Sequence, residues 1–216
     1  MSYNSKKKME PLQQIKGIAK KIAPGRSPLF SEAHVIMALD EIESQEHIGR
    51  KKLSEKLGLG EGATRTLIRH LVREKLVIIS KSGNHLSKKG VKLYSALRAA
   101  MSRTIEIPPS SLTIGPINIA VLVRKASSVV KDGLEQRDTA IKAGAKGATT
   151  LIYSNGRLIM AGVTGSVFKD IPSIYTTILS RFDPKENDVI IIGSAEDKRA
   201  AELGANMVAI QILECI

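Results

Sequence analysis

Apolar positions recur at helical spacing in the first half of the chain and gather into short runs in the second. After Ser31, Val35, Ile36, Leu39 and Ile42 are spaced by three and four, which predicts a helix capped by Ser31 just past Pro28. A second helix is predicted from Gly49 to Leu57, with Leu53 and Leu57 turned inward, and Gly58-Leu59-Gly60 breaks it. A third runs from Glu61 to Lys75 with Ala63, Leu67, Ile68, Leu71 and Val72 on the core side. Leu76 to Ile79 is a short β-branched run, Ser82-Gly83-Asn84 a turn signal, and His85-Leu86 the start of a return strand. Ser87 then caps a fourth helix carrying Val91, Leu93, Tyr94, Leu97 and Met101. Ahead of these elements, Leu12, Ile15, Ile18, Ala19 and Ile22 predict a short amphipathic helix inside a basic arm broken by Pro11, Pro24 and Gly25.

Past Ile107-Pro108-Pro109-Ser110-Ser111 the pattern becomes strands alternating with helices. Strands are predicted at Ile117–Val123, Ala148–Tyr153, Arg157–Ala161, Val189–Ile192 and Met207–Leu213, and helices at Asp132–Ala143, Ile171–Phe182 and Ala195–Leu203. Asn155-Gly156 is a strong hairpin signal, and Pro172 suits a first helical turn. Two stretches echo each other: Asp138…Ala140…Gly144-Ala145…Ala148 and Asp197…Ala200…Gly204-Ala205…Ala209. Each reads as a helix closed by Gly-Ala and followed by a strand, either a true repeat or the punctuation any two βαβ units share. The expected fold is therefore α+β. It comprises a basic arm or short helix (1–27), a winged helix-turn-helix domain (28–104), a linker (105–111) and a C-terminal α/β domain of βαβ-like units (112–216).

At 216 residues and 43% hydrophobic, the chain is long and apolar enough to bury a core. Its charge is lopsided. Residues 1–103 hold 21 Lys+Arg and 9 Asp+Glu, a net of +12, whereas residues 104–216 hold 12 of each. An excess confined to one half points to a localised polyanion partner. Aromatic residues make up 3% and Trp is missing, which disfavours single-strand binding by base stacking. Cys215 is the only cysteine, so no intrachain disulfide can form, as suits a reducing compartment. His34, His47, His70 and His85 form no pair at metal-ligand spacing. No apolar run reaches the roughly 18 residues of a membrane span. Nor do Lys6, Lys7 and Lys8 precede the apolar core of a secretory signal. A soluble cytoplasmic protein without metal or cofactor is expected.

The helix, Gly turn, helix and hairpin order can place the third helix in a major groove. That helix carries Thr64, Arg65, Thr66, Arg69, His70 and Arg73 on the side read as solvent-facing, and Arg65, Arg69 and Arg73 form one stripe at intervals of four. The planar guanidinium fork suits both phosphates and guanine edges. Thr64, Arg65 and Arg69, near the helix start, are the expected base readers; Arg73, Lys52 and Lys56 are the expected phosphate contacts. Lys81, Asn84 and His85 are the expected wing contacts to backbone or minor groove. The competing reading of the stripe is a solvated helix face.

The segment LSEKLGLGEGATRTLIRHLVREKLVIISKSGNHLSKKGVKLYSAL resembles winged-helix transcription regulators, and its closing LSKKGVKLYSAL looks like the last helix of many prokaryotic examples. GLEQRDTAIKAGAKGATTLIYSNG resembles the C-terminal domain of archaeal winged-helix proteins, a domain of unknown function. Together these resemblances imply a transcriptional regulator with an uncharacterised effector or dimerisation domain.

Two C-terminal places are candidate ligand sites. Glu135, Gln136, Arg137 and Asp138 form a polar cluster that is either a metabolite site or an acidic first turn favoured by the helix dipole. Gly193-Ser194 ends a predicted strand, and its backbone N–H groups either hold an anion or make a structural turn. Gly162, Gly165 and Ser166 suggest a loop without an assigned role. The expected function is sequence-specific binding of double-stranded DNA by a homodimeric regulator, with a possible small-molecule effector and no membrane partner. The main alternative is an enzyme whose C-terminal domain is catalytic and whose winged helix docks it; another is an adaptor or RNA-associated protein.

Overall fold

The computed structural model describes residues 3–20 and 28–216, with side chains from Glu10 onward. Lys21, Ile22, Pro24 and Gly25 of the expected arm lie outside the described residues. The chain divides into two compact units, Met1–Arg98 and Ala99–Ile216.

In the first unit, α1 (Tyr3–Ala19) is longer than the short helix expected within the arm. It buries Leu12, Ile15 and Ile18 and packs against its own unit, because three apolar residues at helical spacing gain more from burial than from water. Helix α2 (Glu32–Ser44) starts at the expected cap, Ser31, and Val35, Ile36, Leu39 and Ile42 are fully buried. The Ser31 N–H donates to His34 Nδ1 at 3.1 Å, so the imidazole fills the place a Glu usually takes in a capping box. Burial holds the His34 pKa below its ordinary value, which keeps that nitrogen free to accept.

Helix α3 (Arg50–Leu57) ends on Gly58 in the left-handed region (φ 65, ψ 22), a conformation that needs no Cβ and turns the chain sharply into α4 (Glu61–Arg73). Leu53, Leu57, Leu67, Ile68 and Leu71 lock the helix pair. The hairpin is β1 (Val77–Ser80) with β2 (Gly83–Leu86), paired Val77↔Leu86 to Ser80↔Gly83. Its two-residue loop is Lys81-Ser82, earlier than the expected Ser82-Gly83-Asn84 turn. Asn84 lies within β2 and also bridges to Ile48. Ser87 caps α5 (Lys88–Ala100), accepting from the Gly90 N–H at 3.0 Å. Asp40 of α2 binds Tyr94 and Arg98 of α5 at 2.9 and 3.0 Å, closing the unit. The order α2, α3, α4, hairpin and α5 is the element order expected from the sequence.

The second unit is a five-stranded antiparallel sheet in the order β3-β4-β7-β5-β6. Its strands are β3 (Ile105–Ile107), β4 (Ile117–Val123), β5 (Gly147–Ser154), β6 (Arg157–Met160) and β7 (Val189–Ala195). The expected linker 105–111 is corrected by β3, an edge strand whose Ile107 is 2% exposed. The prolines follow the strand, where they cost no ladder hydrogen bond.

Strands β4 and β5 flank β7 and run parallel to each other, joined by α6 (Leu134–Lys142). Strands β6 and β7 flank β5 and are joined by α7 (Pro172–Phe182). The βαβ-like units are therefore real but split, each with a strand of the other inserted between its own two.

The apolar faces follow strand alternation. Ala120, Leu122, Leu151, Ile190 and Ile192 pack with Ile174, Ile178 and Phe182 of α7. On the other face, Gly193 meets α8 (Lys198–Glu214) so closely that a Cβ would lie 2.4 Å from the Ala201 carbonyl oxygen.

The internal repeat fails at its second half. Gly144 (φ 99) follows α6 as expected, but Gly204 lies inside α8, where a Cβ would come 2.6 Å from that of Ala145. Residues Met207–Leu213 are therefore helix rather than strand. Ala201, Ala205, Val208, Ala209 and Ile212 are all buried, a 3.6-residue stripe that a short apolar run conceals.

Candidate nucleic-acid interface

Helix α4 has two distinct sides. Thr64, Leu67, Ile68 and Leu71 are buried, while Arg65, Arg69 and Arg73 are exposed along one line. The arginines stay out because a guanidinium has no partner in that core and would lose its hydration there. Lys52 and Lys56 are exposed on α3, and Lys81 sits exposed at the hairpin tip. The start of α3, the first turns of α4 and the hairpin enclose a cleft of about 350 Å³. Its lining includes Arg50, Arg65, Arg69 and Lys81 and no acidic side chain. Arg69 reaches Thr66 Oγ1 at 3.5 Å, a weak restraint on an exposed side chain. Arg50 forms a 3.5 Å ion pair with Glu61, both partners being well exposed, so water competes with it. Arg50 was absent from the sequence expectation; its signal was a cation one residue past the helix-starting Gly49.

Several expected contacts are corrected. Thr64 is 0% exposed, and its hydroxyl bonds the Gly60 carbonyl at 3.2 Å, so it cannot read a base. Val72, expected on the core side, is exposed. His70 donates from Nδ1 to the Ile18 carbonyl at 2.7 Å and meets the Phe30 ring edge-on at 5.6 Å, which commits it to holding α1. Asn84 is 4% exposed and donates to the Ile48 carbonyl at 2.7 Å, so it anchors the hairpin rather than touching a duplex. His85 is half-buried against the ring of His47, with centroids 5.1 Å apart. Thr66 remains partly accessible.

Residues 35–101 match the model of the CggR N-terminal DNA binding domain. The matched segment holds α3, α4, the hairpin and the cleft between them. The chain thus carries a segment similar to a DNA-binding domain, and it contains each of the exposed cations just described. Residues 114–212 match a domain of unknown function, DUF4443. A solved structure of a hypothetical protein from Pyrococcus horikoshii OT3 is 26% identical in sequence, with a TM-score of 0.68, over 86% of this chain and 92% of that one. No curated protein matches.

The C-terminal candidates do not converge on a site. Glu135 is exposed, Gln136 is 4% exposed, and Arg137 turns to its neighbour Asp138 at 2.9 Å. Gly193 and Ser194 lie within β7, and the Ser194 hydroxyl donates to Asn118 Oδ1 at 2.7 Å. The expected strand-to-helix anion site is therefore corrected. The following helix is capped by Asp197, which accepts from the Arg199 and Ala200 N–H groups and occupies the place an anion would take. Among the described residues no group of three or more His, Cys, Asp or Glu side chains can hold a metal, and no helix is long and apolar enough to cross a membrane.

Proposed function

We propose that this protein is a sequence-specific regulator of transcription that acts in the cytoplasm on double-stranded DNA. The observation that carries the reading is the group of exposed cations, Arg65, Arg69, Arg50 and Lys81, around one cleft whose lining holds no acidic side chain, in a segment similar to a DNA-binding domain. Helix α4 enters the major groove; Arg65 and Arg69 read base edges with help from Thr66. Arg73, Lys52 and Lys56 hold phosphates, and Lys81 follows the backbone beside the groove. The protein works as a homodimer, since two half-sites multiply the few base contacts one helix supplies. Supporting the dimer, α6 exposes Leu134 and Ile141 seven residues apart, with the Arg137–Asp138 pair between them. The C-terminal unit is the pairing and effector-sensing module.

Fluorescence anisotropy with genomic fragments at rising salt tests the reading. Binding should weaken steeply, with a log–log slope of about −0.9 for each phosphate neutralised. Absent or salt-insensitive binding would overturn it.

A further inference from the structure

The loop holding Gly162, Gly165 and Ser166, whose sequence suggested no role, borders a cleft of about 440 Å³ in the C-terminal unit. That volume is in the range of small-molecule sites. The cleft runs along β6, an edge strand. Ala161 N–H donates to the Thr150 carbonyl, and Ile159 pairs with Ile152. Antiparallel alternation then points the backbone N–H and C=O of Leu158 away from β5 at the open edge, where Leu158 lines the cleft. One wall is aromatic: Phe168 and Tyr175 meet edge-to-face at 5.0 Å. The rim holds two exposed cations, Arg157 and Lys169, and the lining contains no carboxylate. Neither cation has an ion-pair partner among the described residues.

We propose that this cleft binds a small organic anion, its carboxylate or phosphate group held by Arg157 and Lys169 and its apolar body laid against Phe168 and Tyr175. Charge alone does not specify the ligand, because the aromatic wall rewards an apolar body that inorganic phosphate lacks. The binding claim stands by itself; only its consequence for DNA affinity rests on the regulator reading.

Benzoate, phenyl phosphate, inorganic phosphate and benzyl alcohol are titrated against the full chain by calorimetry and by NMR of the Phe and Tyr side chains. Benzoate or phenyl phosphate should bind and shift the Phe168 and Tyr175 signals; the better of the two identifies the anionic group. Inorganic phosphate and benzyl alcohol should each bind at least about tenfold more weakly, the loss expected when about 1.4 kcal/mol of contact is removed. Arg157→Gln with Lys169→Gln alters only exposed side chains, and should weaken binding about tenfold or more with the melting temperature unchanged. If neither aromatic anion binds, or if the double variant binds as well as wild type, the site is refuted. Adding the bound anion to the DNA titration separates the two readings: bound ligand with unaltered DNA affinity retains the site and removes its regulatory role.

Discussion

The two units treat polar residues in opposite ways. In the N-terminal unit the long cationic side chains of α3, α4 and the hairpin tip remain in water, and Arg50, Arg65, Arg69 and Lys81 among them line one cleft. In the C-terminal unit many polar groups are consumed by the fold. Asp188 is buried and accepts from Arg124 at 2.6 Å and from the Lys125 and Lys185 N–H groups at 2.9 and 2.8 Å; Ser194 pairs with Asn118. A charge left without a protein partner is available to a ligand, whereas a buried, fully bonded one is part of the scaffold.

The largest effect should come from the consumed side. Asp188→Ala strands two backbone donors and the Arg124 guanidinium, and should cost about 3 kcal/mol of stability in chemical denaturation. An unaltered midpoint would show that the carboxylate is not structural. On the available side, Arg69→Ala should leave the melting temperature in place and weaken specific DNA binding by about 1–3 kcal/mol in an anisotropy titration. Equal affinity for wild type and variant would remove α4 as the reading face. Thr64→Val sharpens the contrast within the same helix. It should cost about 1 kcal/mol in a melt, through the lost bond to Gly60, and leave base preference untouched. A changed preference would mean that Thr64 meets DNA after all.

A smaller effect follows from His34. Its folded pKa lies below its unfolded value, so the unfolded chain binds more protons in the interval between them. Stability from this group is complete above about pH 6.5 and is lost as pH falls toward the folded pKa. His34→Gln keeps an acceptor for the Ser31 N–H without the titration, so its melting temperature should fall less over the same acid range. Parallel acid profiles would discard the capping role. Glu135→Ala should change stability by no more than about 0.5 kcal/mol, as at an ordinary surface position.

Much of the fold was legible because local rules and tertiary packing agreed. Leu53, Leu57 and the Gly58 turn marked the helix pair, and Asn155-Gly156 marked the β5–β6 hairpin, where both residues adopt positive φ. Prediction failed where one local pattern served two structures. Met207–Leu213 reads equally as a buried strand or one side of a helix, and the fifth strand of the sheet is β3, hidden in the expected linker. Within the interface, Arg65, Arg69 and Arg73 were legible because a long cation at intervals of four must leave the core. Thr64 and His70 were misread, because a small or amphipathic side chain suits either side of a helix.

The division into a basic half and a neutral half, the order of most elements and the arginine stripe were readable from the amino acids alone. All of these depend on residue type and short-range spacing, which chain geometry converts directly into faces and charge. Long-range packing settled that α1 claims His70, that Ile48 claims Asn84, that two split βαβ units interlock, and that Arg157 and Lys169 share a cleft with Phe168 and Tyr175. Those outcomes join residues far apart in sequence, and a buried polar group takes whichever partner long-range packing brings within hydrogen-bond reach.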